Sequence, residues 1–275
     1  MGDYKKPTKK KPTKKKPTKK KPNKKKTQKK QISIIDVPLS NKISLGSDAS
    51  SGMINYNYQK YYNTFAFLKE LIKKDKQIRK NVCIPDIGRH WMKGFLALNL
   101  QNKKNLTLKP VDSINSQSKF VKKIKHCLKH RFVPINLQLI VKRNNTHANI
   151  ILMDSMKKTI ELFEPHGNRS VSSHLESISQ GYYRASKAVR KFFKQHFPSY
   201  KFIPPSKYEP SEGLQDKIDA FSGMCVTWSI LYIHYRLLNP DVSQKDLVKY
   251  LNKTINKRNL LQYTRYVEDI IKHKI

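Results

Sequence analysis

The sequence predicts an α+β domain, with a group of antiparallel strands between two groups of helices. Between Phe132 and Phe163 lie three short, largely apolar segments, and in the first of them apolar residues alternate with an Asn and a Gln, as in a half-buried strand. On either side of this region, apolar residues recur at helical spacing. Because short turns join the three segments, neighbours in sequence should pair as an antiparallel meander. The order therefore predicts a central antiparallel-rich sheet flanked by helices.

The first 31 residues form a low-complexity basic tail. Proline recurs every five residues from Pro7 to Pro22, and 16 lysines stand against a single acid. Prolines remove helical hydrogen bonds and like charges repel, so this tail is predicted to be disordered. Solubilisation or nuclear targeting and an electrostatic nucleic-acid arm are equally open roles. Residues 32–57 are predicted as a Ser- and Asn-rich linker, and residues 58–275 as the folded domain.

Two helices are predicted at the start of the folded domain. Apolar residues between Tyr58 and about Lys80 recur at helical spacing. A second helix is predicted from Asp86 to Leu98, with Trp91, Phe95 and Leu98 facing the core. Trp91 is interpreted simply as a core aromatic residue.

The three strands of the meander are predicted at 132–141, 147–153 and 159–163. His147 opens the second strand, and Glu164 follows the third. Because adjacent antiparallel strands place such ends side by side, the two side chains are expected to face one cleft.

The remaining chain is predicted to be mainly helical. In chain order, the expected elements are a helix over 172–197, a strand over Tyr200–Pro204, an irregular loop over Pro205–Gly223, a helix over Cys225–Leu238, and two amphipathic helices over about Ser243–Ile255 and Asn259–Lys272. The helix that begins at Cys225 is apolar on nearly every face, so it should be buried. Asn239-Pro240 is expected to end it.

Net charge indicates a polyanionic partner. The chain carries +38, and the body after residue 31 holds 41 basic and 18 acidic side chains, so it is basic even without its tail. Lysine and arginine that neutralise phosphates release condensed counterions. Nucleic acid is therefore the expected partner of both tail and body.

The cysteine count and the apolar runs bear on the compartment. Cys83, Cys127 and Cys225 are three thiols at irregular spacing, which makes a poor disulfide framework and favours a reducing compartment. No apolar run approaches the roughly 18–20 residues of a membrane span, and the N-terminus lacks a secretory signal. A soluble intracellular protein, or one packaged in a particle assembled there, is expected, with no membrane partner.

Cys225 is the cysteine with a local reason to be reactive. It begins the buried helix and follows a loop that contains Gly223. The positive end of the helix dipole favours a thiolate at this position. A nucleophilic thiolate also needs a base, and the base needs an orienting acceptor.

The order of His147 in "NTHANIILMD", Glu164 in "TIELFEPHG", Gln215, and Cys225 in "FSGMC" resembles the adenovirus proteinase and the proteases that remove ubiquitin-like modifiers. The resemblance covers about residues 132–240, and the "LFEP-x-G" block is especially similar to the adenovirus enzyme. It implies a papain-like cysteine protease fold of that type. The Lys-, Asn- and Ile-rich composition would suit an AT-rich large DNA virus.

The resemblance implies a role for each of these residues. Cys225 would be the nucleophile that forms a thioester, and His147 the base that later protonates the leaving amine. Glu164 would orient the imidazole. Gln215 and the backbone N–H of Cys225 would bind the oxyanion.

The chain departs from the family pattern at three places. Ala148 stands where a Trp usually follows the His, so the shield of His147 must come from elsewhere. Gln215 lies ten residues before Cys225 rather than six or seven, which makes it the weakest assignment. Val226 stands where a Gly usually follows the nucleophile.

Other histidines invite competing interpretations. His166 could replace His147 as the base, but it lies two residues from Glu164 on the same strand end, which is poor geometry. His126, Cys127 and His130, with Cys83, fit no usual zinc spacing and are interpreted as surface residues of a basic patch. His234 and Trp228 are interpreted as core residues of the buried helix.

The function that the resemblance implies is a cysteine endopeptidase that cleaves viral precursor proteins, beside small residues such as Gly, during virion maturation. It would act in the virion and in the host cytoplasm during assembly. No cofactor is expected to be required, but nucleic acid is a candidate activating polyanion, because the adenovirus enzyme uses DNA in this way. Three alternatives stay open: a deconjugase of ubiquitin-like modifiers, a non-enzymatic nucleic-acid-binding virion protein on a protease scaffold, and an acyltransferase.

Overall fold

The computed structural model describes residues 33–43, 60–85, 96–99, 108–110, 117–142, 145–168, 176–219 and 224–271, together with residues 2 and 106. A compact unit extends from Ile34 to Ile275. Nearly all of the basic tail lies outside the described residues. Among the described helices, none is long and apolar enough to cross a bilayer.

Eight helices lie in the described part of the chain. They are α1 (Lys60–Lys74), α2 (Lys76–Asn81), α3 (Gln117–Cys127), α4 (Glu176–His196), α5 (Leu214–Asp219), α6 (Cys225–Leu238), α7 (Gln244–Thr254) and α8 (Lys257–Ile271). The single helix predicted up to Lys80 is divided at Asp75. Its carboxylate accepts hydrogen bonds from the backbone N–H groups of Gln77 and Ile78 and so caps α2.

Six strands form one sheet in the order β2-β1-β3-β4-β5-β6. They are β1 (Leu96–Asn99), β2 (Lys109–Pro110), β3 (Phe132–Lys142), β4 (Asn145–Asp154), β5 (Thr159–Phe163) and β6 (Lys201–Ile203). β3, β4 and β5 pair antiparallel, which confirms the predicted meander. β1 pairs parallel with β3 and β6 parallel with β5, so the sheet is mixed. Helices and one mixed sheet confirm the predicted α+β class.

The turn between β4 and β5 sets the register that matters for the site. Asp154 ends β4, and its Oδ1 accepts hydrogen bonds from the N–H groups of Met156 and Lys157 at 3.0 Å. This local cap fixes a short turn, as aspartate commonly does. The pairing then runs from Asp154 opposite Thr159 to Ile150 opposite Phe163. One step further, Asn149 and Glu164 fall opposite one another.

Two hydrophobic cores lie on the two faces of the sheet. Alternate residues of β4, namely Ala148, Ile150 and Leu152, pack with α1, α6, α7 and α8. The intervening Ile151 and Met153 pack with α3 and α4. This two-residue alternation is the expected consequence of strand geometry. α6 lies in the first core, with every residue from Cys225 to Leu237 buried, as its uniformly apolar sequence predicts.

Two predictions of secondary structure are wrong. Leu96–Asn99 is strand β1, not the end of a helix, and residues 86–95, which include Trp91 and Phe95, lie outside the described residues. Leu96 and Leu98 are both fully buried, because β1 pairs with β3 and places them on one face. Local helical spacing is overridden there by pairing with a distant strand. The loop predicted over 205–223 also contains α5.

The cysteines and the predicted linker behave differently from expectation. Cys83 and Cys127 form a disulfide, which corrects the prediction of a poor disulfide framework. Cys127 is therefore a buried, bonded residue and not part of a surface patch. Within the predicted linker, Val37 is buried against the first core, and Asp36 accepts hydrogen bonds from the hydroxyls of Tyr235 and Tyr250.

Candidate active site

His147 lies near the start of β4, where the strand pairs with β3. It stands opposite Leu139, and its side chain is 6% exposed. Its Nε2 lies 2.6 Å from Glu164 Oε1. The antiparallel register of β4 and β5 therefore brings together the two residues that the sequence places 17 positions apart.

The Glu164 carboxylate is held from three directions. Besides His147, its Oε1 accepts a hydrogen bond from the His166 backbone N–H at 3.0 Å, and its Oε2 accepts one from Asn149 Nδ2. Asn149 also donates to the carbonyl of Phe163. A carboxylate fixed at both oxygens can orient an imidazole, because it cannot rotate without losing a bond.

A second buried acid lies behind Glu164. Glu209 Oε1 accepts the Glu164 backbone N–H at 3.0 Å. Burial raises the pKa of Glu209 well above its usual range, the hydrogen bond from Glu164 opposes that shift, and the Glu164 charge adds to it. Burial therefore makes Glu209 harder to ionise than an exposed glutamate, and its carboxyl oxygen still accepts the Glu164 backbone N–H.

Cys225 is the first residue of α6, and packing of α6 on β4 places it beside His147. One turn further along α6, Ser229 Oγ donates to the carbonyl of Ala148 at 3.4 Å, next to His147 in sequence. Cys225 itself is 7% exposed and, within the described residues, is not part of a disulfide. A hydrogen bond with the Cys225 side chain is among the causes that raise the pKa of His147, so the thiol lies beside the imidazole. His147 thus lies between the Cys225 thiol and the Glu164 carboxylate.

The electrostatic environment of His147 favours its protonated form, the imidazolium. Burial lowers the pKa of His147, but the charge of Glu164 and the hydrogen bonds with Cys225 and Glu164 outweigh it and raise that pKa to about 10. Burial raises the pKa of Glu164, but the charge and hydrogen bond of His147 bring it below its usual range. A protonated His147 beside Cys225 stabilises a thiolate, which is the nucleophilic form of cysteine.

Glycines explain why the turn after Glu164 fits so closely against α5. Gly167 has φ 77°, a left-handed conformation that favours glycine. A Cβ on Gly213 would lie 2.3 Å from Gly167 N and 2.1 Å from the His166 carbonyl carbon. The two backbones are joined by hydrogen bonds from Gly213 N to the His166 carbonyl and from Gln215 N to the Pro165 carbonyl. This contact ties α5 to the loop that carries Glu164.

Gln215 lies in α5, and its side chain is buried. Its Oε1 has no hydrogen-bond partner among the described residues. The ten-residue interval to Cys225 is occupied in part by α5, and residues 220–223, with Gly223, lie outside the described residues. The structure thus places Gln215 beside the Glu164 loop, and its role as an oxyanion donor stays a prediction.

Several residues at the site were missed by sequence reasoning. Asn149 and Glu209 bind Glu164, and Asp216 Oδ1 lies 2.6 Å from His166 Nδ1. Asn149 had a detectable signal, since it is a polar residue two positions after His147 on an otherwise apolar strand and so shares its face. Glu209 and Asp216 gave none, because the loop that brings them here has no periodic pattern. Among the described residues, no group of three or more His, Cys, Asp or Glu side chains could hold a metal ion.

Comparison with known proteins gives weak matches. No protein-family model matches the sequence. The putative ankyrin repeat protein L371 of Acanthamoeba polyphaga mimivirus is 22% identical over 161 residues, which cover 52% of this chain and 21% of that protein. The chain thus spans about a fifth of the length of this relative. Identity at this level does not assign a family.

Solved structures give likenesses of similar weight. ChlaDub1 from Chlamydia trachomatis is 12% identical, with a TM-score of 0.43 over 80% of this chain and 94% of that chain. The C. trachomatis effector protein Cdu1 bound to ubiquitin is 11% identical, with a TM-score of 0.41 over 81% of this chain and 95% of that chain. Both TM-scores lie below 0.5, so these likenesses decide neither the fold family nor the activity of the chain.

Proposed function

We propose that the protein is a cysteine peptidase in which Cys225, His147 and Glu164 form the catalytic triad. The observation that carries the proposal is that His147 Nε2 lies 2.6 Å from Glu164 Oε1, with Cys225 beside His147 and among the causes that raise the pKa of His147. The arrangement is the one that nucleophilic catalysis requires, with a base beside the nucleophile and an acceptor that orients the base. Burial of all three side chains strengthens these interactions.

The reaction follows from the charges at the site. The Cys225 thiolate attacks the carbonyl carbon of the scissile amide, and the carbonyl oxygen becomes an oxyanion. The His147 imidazolium gives its proton to the leaving amine as the C–N bond breaks, which leaves a thioester on Cys225. Neutral His147 then takes a proton from water, and the hydroxide attacks the thioester. The carboxylic acid product leaves, and the thiolate and imidazolium are restored.

Oxyanion stabilisation is assigned to groups at the start of α5 and α6. The backbone N–H of Cys225 lies at the N-terminus of α6, where helix N–H groups have no intrahelical partner. Gln215 is the second proposed donor, supported by its burial and by its backbone bond to Pro165 beside the Glu164 loop. Glu164 keeps the imidazole oriented throughout and does not itself accept the proton.

The test is covalent capture of Cys225. A modifier or peptide substrate that ends in a vinyl sulfone at its C-terminal glycine should label the wild-type protein at Cys225, and mass spectrometry of the tryptic peptide locates the adduct. Cys225→Ala should abolish labelling, and His147→Ala should slow it by about 10³-fold or more. His126→Ala, a surface histidine on α3, is the matched control and should label at the wild-type rate. Labelling that persists in Cys225→Ala would disprove the assignment.

The substrate class follows from the same experiment. The two candidates are precursor polypeptides cut beside glycine and conjugates of ubiquitin-like modifiers. Ubiquitin is a suitable first probe, because it is the polypeptide in the Cdu1 structure. Reaction with a modifier probe supports deconjugation, whereas reaction with short Gly-ending peptides alone supports precursor cleavage. Transfer of an acyl group to Ser, Thr or Lys, with no hydrolysis, would instead support the acyltransferase hypothesis.

We also propose that the tail, residues 1–31, binds nucleic acid in a virion, and that this binding increases the peptidase activity. The support is its 16 lysines against one acid. Deletion of this tail should flatten the dependence of log affinity on log salt concentration for DNA, because fewer counterions are released. A variant with its lysines replaced by arginines is the control and should keep the slope. An unchanged slope after deletion would place the binding in the body of the protein.

A further inference from the structure

His147 needs a neighbour that fixes the plane of its ring, and the residue that follows it does not provide one. Ala148 packs with the helices of the first core, and a methyl group is too small to cover an imidazole. Two hydrogen bonds along the ring edge, to Cys225 and Glu164, still allow the ring to tilt about the axis that joins them. A catalytic base that tilts loses its alignment with the nucleophile.

His166 lies against the face of His147. The two ring centroids are 4.7 Å apart, with an angle of 33° between the rings. The His166 side chain is mostly buried, with 15% of its surface exposed. The distance and angle are within the range of offset aromatic pairs, which contribute beyond the area that they bury.

Asp216 anchors the His166 ring from the opposite side. Its Oδ1 lies 2.6 Å from His166 Nδ1, and the Asp216 side chain is 1% exposed. The anchor is built by the close approach of Gly167 and Gly213, because the backbone bonds between the His166 turn and α5 bring Asp216 beside the ring. The His166 backbone N–H donates a hydrogen bond to Glu164, so His166 contacts both His147 and Glu164.

We propose that His166, anchored by Asp216, is a positioning residue that holds the His147 ring in line with Cys225 and Glu164. It takes the place of the bulky residue that Ala148 does not supply. Burial raises the pKa of Glu164, His147 lowers it by its charge and hydrogen bond, and the charge of His166 lowers it further, which favours the charged carboxylate that His147 needs. The effect on turnover rests on the proposed peptidase function, but the effect on the geometry of the ring does not.

The competing role for His166 is that of the base itself, with Asp216 as its acid. A hydrogen bond with Cys225 is among the causes that raise the pKa of His147, which favours His147 as the base. The titratable groups around the His147 ring are Cys225 on α6, Glu164 and His166 after β5, Glu209 behind Glu164, and Asp216 on α5. A phenyl ring at position 166 distinguishes the two roles, because it can pack against His147 but cannot accept a proton.

The experiment compares His166→Ala and His166→Phe with Asp216→Ala and the double variant His166→Ala/Asp216→Ala. His166→Ala should lower kcat by about 100-fold with little change in KM, because the ring of His147 is displaced and the substrate contacts are not. His166→Phe keeps the packed face and should recover most of that loss. The double variant should lose no more than His166→Ala alone, since the two residues act in series. Asp246→Ala, an exposed acid on α7, is the matched control.

A second measurement needs no catalytic activity. The rate of Cys225 alkylation by iodoacetamide against pH reports the thiolate, and its apparent pKa should rise by about one unit in His166→Ala and return towards wild type in His166→Phe. Wild-type kcat and an unchanged alkylation profile in His166→Ala would overturn the proposal. Loss of activity in His166→Phe equal to that in His147→Phe would make His166 the base instead. If Cys225 proves not to be a peptidase nucleophile, the alkylation profile still decides the positioning role.

Discussion

Two buried acid–cation pairs involve acids only three residues apart, one within β5 and one just after it, and the pairs differ in the kind of cation. Glu161, within β5, receives the Nε–H of Arg236 at 2.8 Å, and Glu164, just after β5, meets His147 at 2.6 Å. An arginine keeps its charge at any physiological pH, whereas a histidine can exchange its proton. The first pair is thus suited to holding the fold and the second to chemistry.

The surroundings of the Glu161 pair agree with a structural role. Its oxygens also accept hydrogen bonds from Tyr232 and Gln244, and Arg236 donates to the carbonyls of Asn239 and Val242. These bonds connect β5, α6 and the segment that leads into α7. They therefore fix how α6 lies on the sheet, and the position of Cys225 depends on α6.

The largest effect should come from breaking the His147–Glu164 pair, proposed as part of the catalytic triad, without unfolding the protein. Glu164→Gln should lower kcat by about 10⁴-fold, because an amide supports the wrong tautomer of His147 and does not stabilise imidazolium. The amide still fills the same space, so the unfolding transition should be near that of wild type. Steady-state hydrolysis of an amide substrate that carries the same peptide or modifier as the reactive probe, and circular dichroism against temperature, measure the two quantities. A loss of less than about tenfold in kcat would contradict the catalytic role of Glu164.

At the Glu161–Arg236 pair we expect the opposite result, a large loss of stability with a small change in activity. Arg236→Ala should lower the free energy of unfolding by about 3–5 kcal/mol, because it leaves the charge of Glu161 buried without a partner. The measurement is urea denaturation, read from the midpoint at constant slope. Activity per folded molecule should change far less than in Glu164→Gln.

The double replacement Arg236→Met with Glu161→Leu is the control for that experiment. It removes both charges and should recover most of the lost stability, as apolar replacements of buried ion pairs commonly do. If Arg236→Ala and the double variant were equally unstable, the loss would come from packing and not from the unpaired charge.

The sequence predicted the parts of the molecule that local patterns specify. The three strands of the meander and α6 have strong periodicity or uniform apolarity, so their bounds match those observed to within a few residues. The meeting of His147 and Glu164 followed from the meander, since adjacent antiparallel strands can only bring such ends together.

Long-range contacts account for what was not predicted. β1 is a strand because it pairs with β3, about forty residues further along the chain, and no local pattern reports that pairing. Cys83 and Cys127 meet only after α2 and α3 are placed, so their spacing gave no sign of a disulfide. The contact between His166 and Asp216, 50 residues apart, depends on two glycines whose backbones touch. Such contacts follow from the folded backbone and not from residue types in order.

The smallest expected effect is a difference in pH dependence between the two kinds of buried cation. The pKa of His147 is raised to about 10 from 6.5, so its contribution to stability is complete below about pH 6.5 and is lost as the pH rises towards 10. Glu164, with its lowered pKa, contributes above about pH 4.5 and loses its contribution on acidification. Arg236, with a raised pKa, keeps its charge throughout. Between pH 6.5 and 10, the free energy of unfolding of the wild-type protein should therefore fall more than that of His147→Gln, by an amount on the order of a few kcal/mol.

A second buried histidine makes this difference specific. His234 lies in α6, and burial lowers its pKa to about 3, so it is already neutral over the whole interval. His234→Gln should therefore lose stability between pH 6.5 and 10 by the same amount as wild type, whatever its stability at pH 6.5. The measurement is urea denaturation at the two pH values. Because the lysines and tyrosines that titrate in this interval are the same in all three proteins, the difference between the proteins isolates the contribution of His147. An equal alkaline loss in wild type and His147→Gln would mean that His147 is neutral in the folded protein, and the imidazolium–thiolate pair would then be wrong.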